Sequence, residues 1–401
     1  MNQTNTSSAA QSVTRKPWAY FAVVLSAVLL LSGCSEEVVD HPIDLSNRVE
    51  HQFPQQHLSK LDSICNSIRI HSSGEYLYLA TFREKKNYTD FYDLKFYDIK
   101  TGDLATLADL GSEYNFHFER EGRLYVTRAP AHDALRQLRC YEKMESIAPL
   151  GDRIFDWILQ MNGKLLIRDG QRTCCYIDGK EVGSLDSEPD FIGFAWTHPR
   201  QNLALLKYSR DEGNEGEVGY KYSSTYYLAT FDNSLNILDQ KAILQETQSV
   251  KYGQFQVGRE NELLFTRRID TNGDNVSNYK DTRNANLMSM NLKTLEISVV
   301  CEDLKDLWYF KAHKNGRILF YDETEEDQGG NLWFLDRSSK ARHVVMPLDG
   351  GRFMGFNTDE NWRKLAYVKV LDTNNDDYHL FQEDISEVYL VDLQGLMENK
   401  L

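Results

Sequence analysis

The chain lacks the motifs by which most enzymes and metal proteins are found from sequence. None of its six cysteines lies two residues from another, and no histidine cluster accompanies them, which excludes a zinc site. It has no Gly-x-Ser-x-Gly elbow, no glycine-rich phosphate loop and no repeated sialidase box. These absences predict that the chain is not an enzyme and has no catalytic residue.

Basic side chains and long apolar runs are also scarce. The sequence has 45 Lys and Arg against 60 Asp and Glu, a net charge of −15, and a protein this acidic repels nucleic acid. The longest apolar stretch, Ala19–Leu31, is too short to cross a bilayer comfortably. We therefore expect no nucleic-acid partner and no membrane-spanning helix.

Residues 1–33 have the order of a targeting segment, in which the basic Arg15 and Lys16 precede the apolar stretch. The stretch ends in Leu-Ser-Gly-Cys, which resembles the lipobox of bacterial lipoproteins. The resemblance implies cleavage before Cys34 and lipidation of its thiol; the alternative is an ordinary signal peptide followed by a chance cysteine. Ser35, where an Asp would favour the inner membrane, implies the outer membrane, facing the periplasm.

Three segments follow from this interpretation: 1–33 is a lipoprotein signal peptide, 34–46 is the lipidated cysteine and its tether, and 47–401 is the folded domain. Cleavage would change the net charge to about −17. Anionic lipid headgroups would repel such a domain, so the lipid itself must bind it to the membrane. We expect a lipid-anchored protein of the bacterial cell envelope.

The folded domain is built from a repeated unit, seen most clearly in Gly316–Arg337. Two short apolar runs flank an acidic, glycine-bearing gap, which is typical of two strands and a loop. The second run recurs seven times, ending at Asp98, Glu142, Asp178, Asp232, Asn291, Asp336 and Asp392. A spacing of about 40–50 residues with four strands per repeat predicts a propeller blade. The fold class is therefore all-β: a single β-propeller, with seven four-stranded blades.

Within each blade we letter the strands A to D from the axis outward. The last repeat stops after strand C, so we expect Asn47–His57 to supply its fourth strand and close the ring. The Asp or Asn that ends each strand C is expected to start a turn by bonding its own backbone. Cys140 could pair with Cys174 or Cys175, and the alternative is that the cysteines are small buried hydrophobes.

Tandem blades with an apolar strand, a long Asp- and Asn-rich loop and a Leu-Trp/Tyr-x-x-Asp strand resemble TolB-type, WD-repeat-like propellers of bacterial envelopes. His71-Ser72-Ser73-Gly74 stands where that family commonly has Ser-Pro-Asp-Gly. The propeller lipoproteins of outer-membrane assembly are a second comparison, which only Asp98–Gly102 resembles. The TolB resemblance implies a non-catalytic propeller that binds an envelope protein.

Acidic loops join strands B and C in four repeats, at 209–224, 270–286, 322–331 and 372–387. All B-to-C turns emerge on the same face of a propeller, and long loops on a rigid ring are common binding sites. We expect this face to bind the partner. Its candidate residues are Asp211, Glu212, Asp322, Glu323, Glu325, Glu326, Asp327 and Asp377. The alternative is that these loops are merely solvated.

Two of these loops resemble the EF-hand calcium loop, in which oxygen ligands alternate along the chain and a carboxylate at position twelve closes the shell. The first loop supplies Asp270, Asn272, Asp274, the Val276 carbonyl, Asn278 and Asp281. The second supplies Asp372, Asn374, Asp376, the Tyr378 carbonyl and Glu383. Calcium is thus the one cofactor expected, although the same residues also form turns without a metal.

The leading functional hypothesis is a lipid-anchored, non-catalytic scaffold that binds an envelope protein through the acidic face. Two alternatives remain open. One is a binding or hydrolytic module for a carbohydrate or other small ligand in the central channel. The other is a calcium-stabilised structural lipoprotein.

Overall fold

The computed structural model describes most of the chain after residue 47. The described ranges are 48–50, 53–86, 89–120, 123–129, 137–147, 157–169, 172–186, 188, 190–214, 220–247, 250–270, 273, 285–304, 310–323, 330–338, 341–347, 352–371 and 385–394. Over these ranges the chain forms 29 β-strands and no helix. They belong to one compact unit, Pro42–Leu401. No helix in the described part is long and apolar enough to span a membrane.

The strands follow one another as antiparallel meanders, which we number as sheets 1 to 7. Two strands precede them, β1 (Arg48–Glu50) and β2 (Gln55–Leu61). Sheet 1 contains β3 (Cys65–Ile70), β4 (Tyr76–Lys86), β5 (Thr89–Asp98) and β6 (Leu104–Gly111). Sheet 2 contains β7 (Glu113–Arg120), β8 (Arg123–Ala129), β9 (Gln137–Glu142) and β10 (Glu145–Ile147). Sheet 3 contains β11 (Trp157–Met161), β12 (Lys164–Asp169), β13 (Arg172–Ile177) and β14 (Lys180–Asp186).

The meanders continue in the second half of the chain. Sheet 4 contains β15 (Phe191–Thr197), β16 (Leu203–Asn214), β17 (Tyr220–Phe231) and β18 (Ile237–Glu246). Sheet 5 contains β19 (Val250–Val257), β20 (Glu262–Ile269), β21 (Ala285–Asn291) and β22 (Ile297–Leu304). Sheet 6 contains β23 (Phe310–Ala312), β24 (Arg317–Glu323), β25 (Gly330–Asp336) and β26 (Ala341–Pro347). Sheet 7 contains β27 (Arg352–Thr358), β28 (Lys364–Leu371) and β29 (Ile385–Asp392).

Sheet 7 takes its fourth strand from the other end of the chain. Strand β2 pairs antiparallel with β29, in a register that matches Gln55 with Val391 and Leu61 with Ser386. The strand begins and ends later in the sequence than the expected segment Asn47–His57. Strand β1 adds in parallel to β26 at the outer edge of sheet 6. Sheets 1 and 2 share a single bridge, between Gly111 and Ala129.

The strands of sheet 6 show why the repeat reads as continuous apolar runs. In β24 and β25, Leu319 and Phe334 face sheet 7, whereas Phe320 and Trp333 face sheet 5. All four side chains are at most 2% exposed. A strand buried on both faces cannot alternate apolar with polar residues, so its sequence is apolar throughout.

Each buried cluster joins two successive sheets, and sheet 7 also packs on sheet 1. That last cluster contains Leu61 from β2, Ile68 and Leu79 from sheet 1, and Val368 and Leu390 from sheet 7. The Ser386 hydroxyl adds a polar link here, since it accepts the Cys65 N–H at 2.7 Å. These contacts join the start of the described chain to its end, as a β-propeller requires.

Side chains join some of the inner strands, which are the first strands of neighbouring sheets. Gln254 and Gln256 of β19 bond the backbone of β23: they accept the N–H groups of Phe310 and Ala312 at 3.1 and 3.0 Å. Gln256 also donates to the Phe310 carbonyl. Strand β23 has only three residues, so these amide contacts compensate for its short backbone ladder.

The turn prediction for the residues that end strand C is confirmed at five positions. Asp98 accepts the Lys100 N–H at 2.8 Å, and Asp336 accepts the Ser338 N–H at 3.0 Å. Asp232, Asn291 and Asp392 accept the N–H two residues on in the same way. These side chains therefore serve backbone turns, as short Asp and Asn side chains commonly do.

The predicted loop Ser209–Ser224 of sheet 4 is largely strand, so that prediction is wrong in detail. Strands β16 and β17 pair continuously from Leu203–Thr230 to Asp211–Tyr222, and again at Asn214–Tyr220. Polar residues here do not indicate a loop, because the backbone pairing of β16 and β17 continues through them. Its length, 12 residues in each strand, shapes the candidate site described below.

Candidate functional site

The predicted acidic face is only partly within the described chain. Asp211 and Glu212 lie in β16, and Asp322 and Glu323 lie in β24, each pair in the second strand of its sheet. The other candidates lie outside the described residues: Glu325, Glu326, Asp327 and Asp377.

The calcium prediction has no support in the described residues. Asp270 accepts the Gly273 N–H at 2.7 Å, which is turn chemistry that needs no metal. The remaining loop positions lie outside the described residues: Asn272, Asp274, Val276, Asn278, Asp281, Asp372, Asn374, Asp376, Tyr378 and Glu383. The described part of the chain holds no group of three His, Cys, Asp or Glu side chains arranged for a metal ion.

The five cysteines of the folded domain, Cys65, Cys140, Cys174, Cys175 and Cys301, are buried and form no disulfide with one another. Burial raises the pKa of the Cys65 thiol to about 12. These side chains act as small hydrophobes in the packing between sheets. Cys34 and the preceding segment lie outside the described residues.

Two cationic side chains from distant parts of the sequence come together at the inner strands. Arg69 lies near the end of β3, Lys311 is the central residue of β23, and both are half-buried. Lys311 donates to the Thr358 hydroxyl at 3.3 Å, and the buried Asp359 follows Thr358 in the chain. We call Arg69, Lys311, Thr358 and Asp359 the channel site.

Neighbouring groups hold the Arg69 side chain in place and set the pKa of Lys311. The Arg69 guanidinium donates to the carbonyls of Ile68 at 2.9 Å and Phe116 at 3.3 Å, and it lies over the Phe116 ring. Desolvation, followed by the positive charge of Arg69, lowers the pKa of Lys311 to about 7, although Asp359 opposes the change. Lys311 therefore exchanges its proton near neutral pH, which an ordinary lysine does not.

A polar cleft on sheet 4 is the second candidate site. It has a volume of about 420 Å³ and is lined by Glu188, Asp190, Tyr208, Ser209, Ser223, Thr225, Tyr227 and Gln240. We call it the sheet-4 cleft. Tyr208 of β16 lies opposite Thr225 of β17, and the Tyr208 and Tyr227 rings meet edge to face at 5.3 Å. Both tyrosines pack against the cluster that joins sheets 3 and 4.

The difference in strand length between two neighbouring sheets explains the cleft. The central strands of sheet 3, β12 and β13, have six residues each, whereas β16 and β17 have 12. The sheet-4 hairpin therefore extends past sheet 3. Sheet 3 leaves uncovered the face of the hairpin that carries Tyr208 and Thr225. The link between the two sheets crosses this region, where the Asp190 carbonyl accepts the Ser209 N–H at 2.9 Å.

The residues of neither site were predicted from the sequence, although one of the two alternatives was a binding or hydrolytic module for a small ligand in the central channel. Lys311 stands between Phe310 and Ala312 in a strand, and a charged residue inside an apolar strand was the only local signal for the channel site. The partners of Lys311 come from the two ends of the domain, so no short motif contains them. Ser209 and Ser223 of the cleft fall in the predicted acidic loop 209–224, although Tyr220–Tyr227 is rich in aromatic and hydroxyl residues that favour strands.

No protein-family model and no curated protein sequence matches this chain. Among solved structures it is similar to an oligogalacturonate lyase in complex with manganese, with a TM-score of 0.51 and 10% identity over 86% of this chain and 94% of that one. It is also similar to a puromycin-hydrolysing peptidase of Mycobacterium tuberculosis, with a TM-score of 0.50 and 8% identity over 79% of this chain. The match spans 52% of that peptidase, about half its length.

The propeller prediction is confirmed at the level of fold: the chain is an all-β protein of four-stranded sheets with propeller neighbours. TolB from Acinetobacter baumannii is among them, with a TM-score of 0.41 and 11% identity over 80% of this chain and 83% of that one. That score is too low to rank TolB above other propellers.

The prediction of a non-catalytic, protein-binding scaffold is wrong, and so is the prediction that the chain is not an enzyme. The two structures above with TM-scores of at least 0.50 are a lyase and a peptidase. The error has a physical cause. In a ring of sheets, reactive side chains can come from strands far apart in sequence, as Arg69 and Lys311 do, so the absence of local motifs does not exclude catalysis.

Proposed function

We propose that this chain is a propeller enzyme that acts on a carboxylate-bearing carbohydrate or similar small anion at the channel site. One observation carries the proposal: Arg69 and Lys311, from sheets 1 and 6, converge at the inner strands of a protein whose net charge is −15. The positive charge of Arg69 acts on Lys311, and Asp359 offsets only part of this repulsion, since the pKa of Lys311 stays below its usual value. An anionic ligand at the site would offset more of it.

The two side chains suit different roles. Arg69 is held by the Ile68 and Phe116 carbonyls, and a guanidinium fixed in this way can orient a carboxylate. Lys311, with a pKa of about 7, is partly neutral at neutral pH and can accept a proton from a bound substrate. Together they provide what cleavage of an acidic sugar requires: a clamp for the carboxylate and a base beside it.

The likeness to the oligogalacturonate lyase supports the fold alone, because only 10% of residues are identical. That lyase is in complex with manganese, and the described residues here include no group of three His, Cys, Asp or Glu side chains that could hold a metal ion. The proposed substrate class therefore rests on Arg69 and Lys311. Acidic oligosaccharides are the natural first probes, with neutral ones of the same length for comparison.

The test uses the full chain, purified in detergent, with oligogalacturonate and with a neutral galactose oligomer. Ultraviolet absorbance from an unsaturated product would indicate elimination, and new reducing ends without that absorbance would indicate hydrolysis. We expect cleavage of the acidic probe alone, and we expect this cleavage to be abolished in Lys311→Met and reduced in Arg69→Gln when the probe is not saturating. Lys241→Gln is the control, because this substitution removes the same charge from an exposed position in β18.

Binding separates the two roles. Arg69→Gln should weaken binding of the acidic probe, whereas Lys311→Met should abolish turnover even at saturating probe. If both variants bind and cleave as the unmodified chain does, the channel site is not the active site. If the neutral oligomer is cleaved equally well, the substrate class is wrong although the protein is an enzyme.

We also propose that the seven meanders are the seven blades of one closed ring and that a lipid on Cys34 anchors it to the outer membrane of a bacterial envelope. Packing of sheet 7 on sheet 1 supports the ring, and the Leu-Ser-Gly-Cys motif supports the lipid. Mass spectrometry of the N-terminal peptide tests the lipid: Cys34 should be the first residue and carry acyl chains. An unmodified Cys34 contradicts the anchor.

Calcium binding at the Asp270 and Asp372 loops stays part of this proposal, with a structural role. Melting of the full chain with calcium and with chelator tests it. Calcium should raise the melting temperature of the unmodified chain. It should leave the melting temperatures of Asp274→Asn and Asp376→Asn unchanged. Identical melting with and without calcium contradicts it.

A further inference from the structure

The lining of the sheet-4 cleft has an unusual charge balance. Of its eight lining residues, Glu188 and Asp190 are acidic and none is basic. Two backbone hydrogen bonds hold the main chain at these two residues, because the Phe191 N–H donates to the Glu188 carbonyl at 3.0 Å and the Ser209 N–H donates to the Asp190 carbonyl at 2.9 Å. The segment carrying both carboxylates is therefore held against the sheet.

The aromatic part of the lining lies within the field of these carboxylates. Burial raises the pKa of Tyr208, and the nearby charge of Glu188 raises it further. Tyr208 also packs against Phe191, with ring centroids 5.3 Å apart, and against Tyr227. A negative charge beside supported tyrosine rings attracts an organic ammonium ion twice, through the carboxylate and through the ring face.

We propose that the sheet-4 cleft binds a small organic cation carrying an ammonium group, with Glu188 and Asp190 supplying the charge and Tyr208 and Tyr227 the aromatic contact. Ser209, Ser223, Thr225 and Gln240 supply further hydrogen-bonding groups. The volume of about 420 Å³ suits a molecule of metabolite size. This site is separate from the channel site and does not depend on the proposed reaction.

A neutral sugar is the main competitor for such a lining, since sugars also bind between tyrosines and polar side chains. The charge balance favours the cation. Glu188 and Asp190 add to the field of a chain whose net charge is −15, which raises the local concentration of cations. Anionic molecules are disfavoured for the same reason, so the two sites should select ligands of opposite charge.

Isothermal titration of the full chain in detergent tests the proposal with matched probes. Choline and putrescine are the cationic probes, and dimethylbutanol and butanediol are their neutral counterparts of similar shape. Both cations should bind, and each should bind at least about tenfold more tightly than its neutral counterpart. A glucose titration tests the sugar alternative in the same cell.

Variants locate the binding. Glu188→Gln combined with Asp190→Asn should weaken both cations by about tenfold or more, and Tyr227→Leu should weaken choline more than putrescine. The control, Asp239→Asn, removes an exposed carboxylate of the same sheet outside the cleft and should change the affinity less than twofold. Equal binding of neutral probes, undiminished binding in the double variant, or no binding of either cation overturns the proposal. Unchanged melting of the double variant excludes misfolding as the cause.

Discussion

The Arg337 guanidinium donates to the Glu262 carboxylate at 2.6 Å, and both residues are at least 92% buried. Glu262 is the first residue of β20 in sheet 5, and Arg337 follows β25 in sheet 6. The Ser289 hydroxyl and the Arg259 N–H donate to the same carboxylate. This ion pair therefore joins two sheets through a carboxylate whose oxygens are all engaged.

Removing one member of this pair should destabilise the fold strongly. We expect Arg337→Met to lower the free energy of unfolding by about 3–5 kcal/mol, because it leaves the Glu262 carboxylate buried without its counter-charge. The measurement is equilibrium unfolding in urea. The double variant with Glu262→Leu should be more stable than Arg337→Met alone, since neither charge then remains. A loss below about 1 kcal/mol in Arg337→Met would contradict this account.

The same pair gives the protein an acid-sensitive link. Burial tends to raise the pKa of Glu262, but Arg337, Ser289 and Arg259 outweigh it and hold the pKa below its usual 4.5. The folded state then binds fewer protons than the unfolded state, so the contribution to stability is present above pH 4.5 and is lost as the pH falls through the folded pKa. Unfolding free energies of the unmodified chain and Glu262→Gln should therefore converge in acid. A difference in unfolding free energy that stays constant as the pH falls would contradict this.

The first residue of a second strand makes a similar contact in two other sheets. Lys164 of β12 donates to the side-chain carbonyls of Asn202 and Asn233 in sheet 4, at 2.9 and 2.8 Å. Lys364 of β28 donates to the Gly74 carbonyl in sheet 1 at 2.7 Å. The position is thus used repeatedly to bond the turns of the next sheet, which fixes the order and spacing of the sheets.

Lys164→Met should therefore lower the free energy of unfolding by about 1–3 kcal/mol, since it removes two hydrogen bonds from a charged donor to the next sheet and leaves each amide carbonyl with one neutral donor. The matched control is Lys180→Met in the same sheet, where the side chain is exposed. We expect it to stay within about 0.5 kcal/mol of the unmodified chain. Equal effects of the two changes, by urea unfolding, would show that Lys164 makes no special contribution.

The contact between the two ends of the domain can be tested by removing a single oxygen atom. Ser386→Ala removes the hydroxyl that accepts the buried Cys65 N–H and should cost about 1–3 kcal/mol. Ser59→Ala, in the outer strand β2, is the control and should cost much less. Hydrogen exchange of the Cys65 amide gives a direct measurement, because it should accelerate in Ser386→Ala only. Unchanged exchange would show that sheet 7 does not close on sheet 1 in this way.

The sheets were predictable because the physics that makes them is local. A strand buried on both faces must be apolar at every position, as Leu332–Leu335 is, and Asp336 ends it by bonding its own turn. Both features can be read from a few consecutive residues. The extension of the sheet-4 hairpin was missed because β16 beyond Tyr208 is polar in sequence and lacks the apolar pattern by which a strand is recognised, although its backbone still pairs as far as Asp211–Tyr222.

The candidate sites were not predictable for the opposite reason. The electrostatic coupling of Lys311 to Arg69 joins residues 242 positions apart in the sequence, and only the return of the chain to its start brings them together. The sheet-4 cleft depends on a difference between two hairpins, β12–β13 and β16–β17, and neither hairpin reveals it alone. Sites of this kind are properties of the assembled sheets.

The channel site is expected to carry a cost in stability, and Lys311→Met measures it. Between pH of about 7 and 10.5 the folded protein binds fewer protons at Lys311 than the unfolded chain, so its stability rises with pH over this window relative to the variant. We expect the variant to be more stable by roughly 1–3 kcal/mol below pH 7, after allowing for the partial exposure of the side chain, and to lose this advantage above pH 10.5. Urea unfolding at several pH values is the measurement, and Lys241→Met is the control. A protein retains a destabilising buried lysine when function needs it, so a variant that is more stable and inactive would tie this cost to catalysis. A variant with the same pH dependence as the unmodified chain would place the Lys311 ammonium in water, where it could not act as a base near neutral pH.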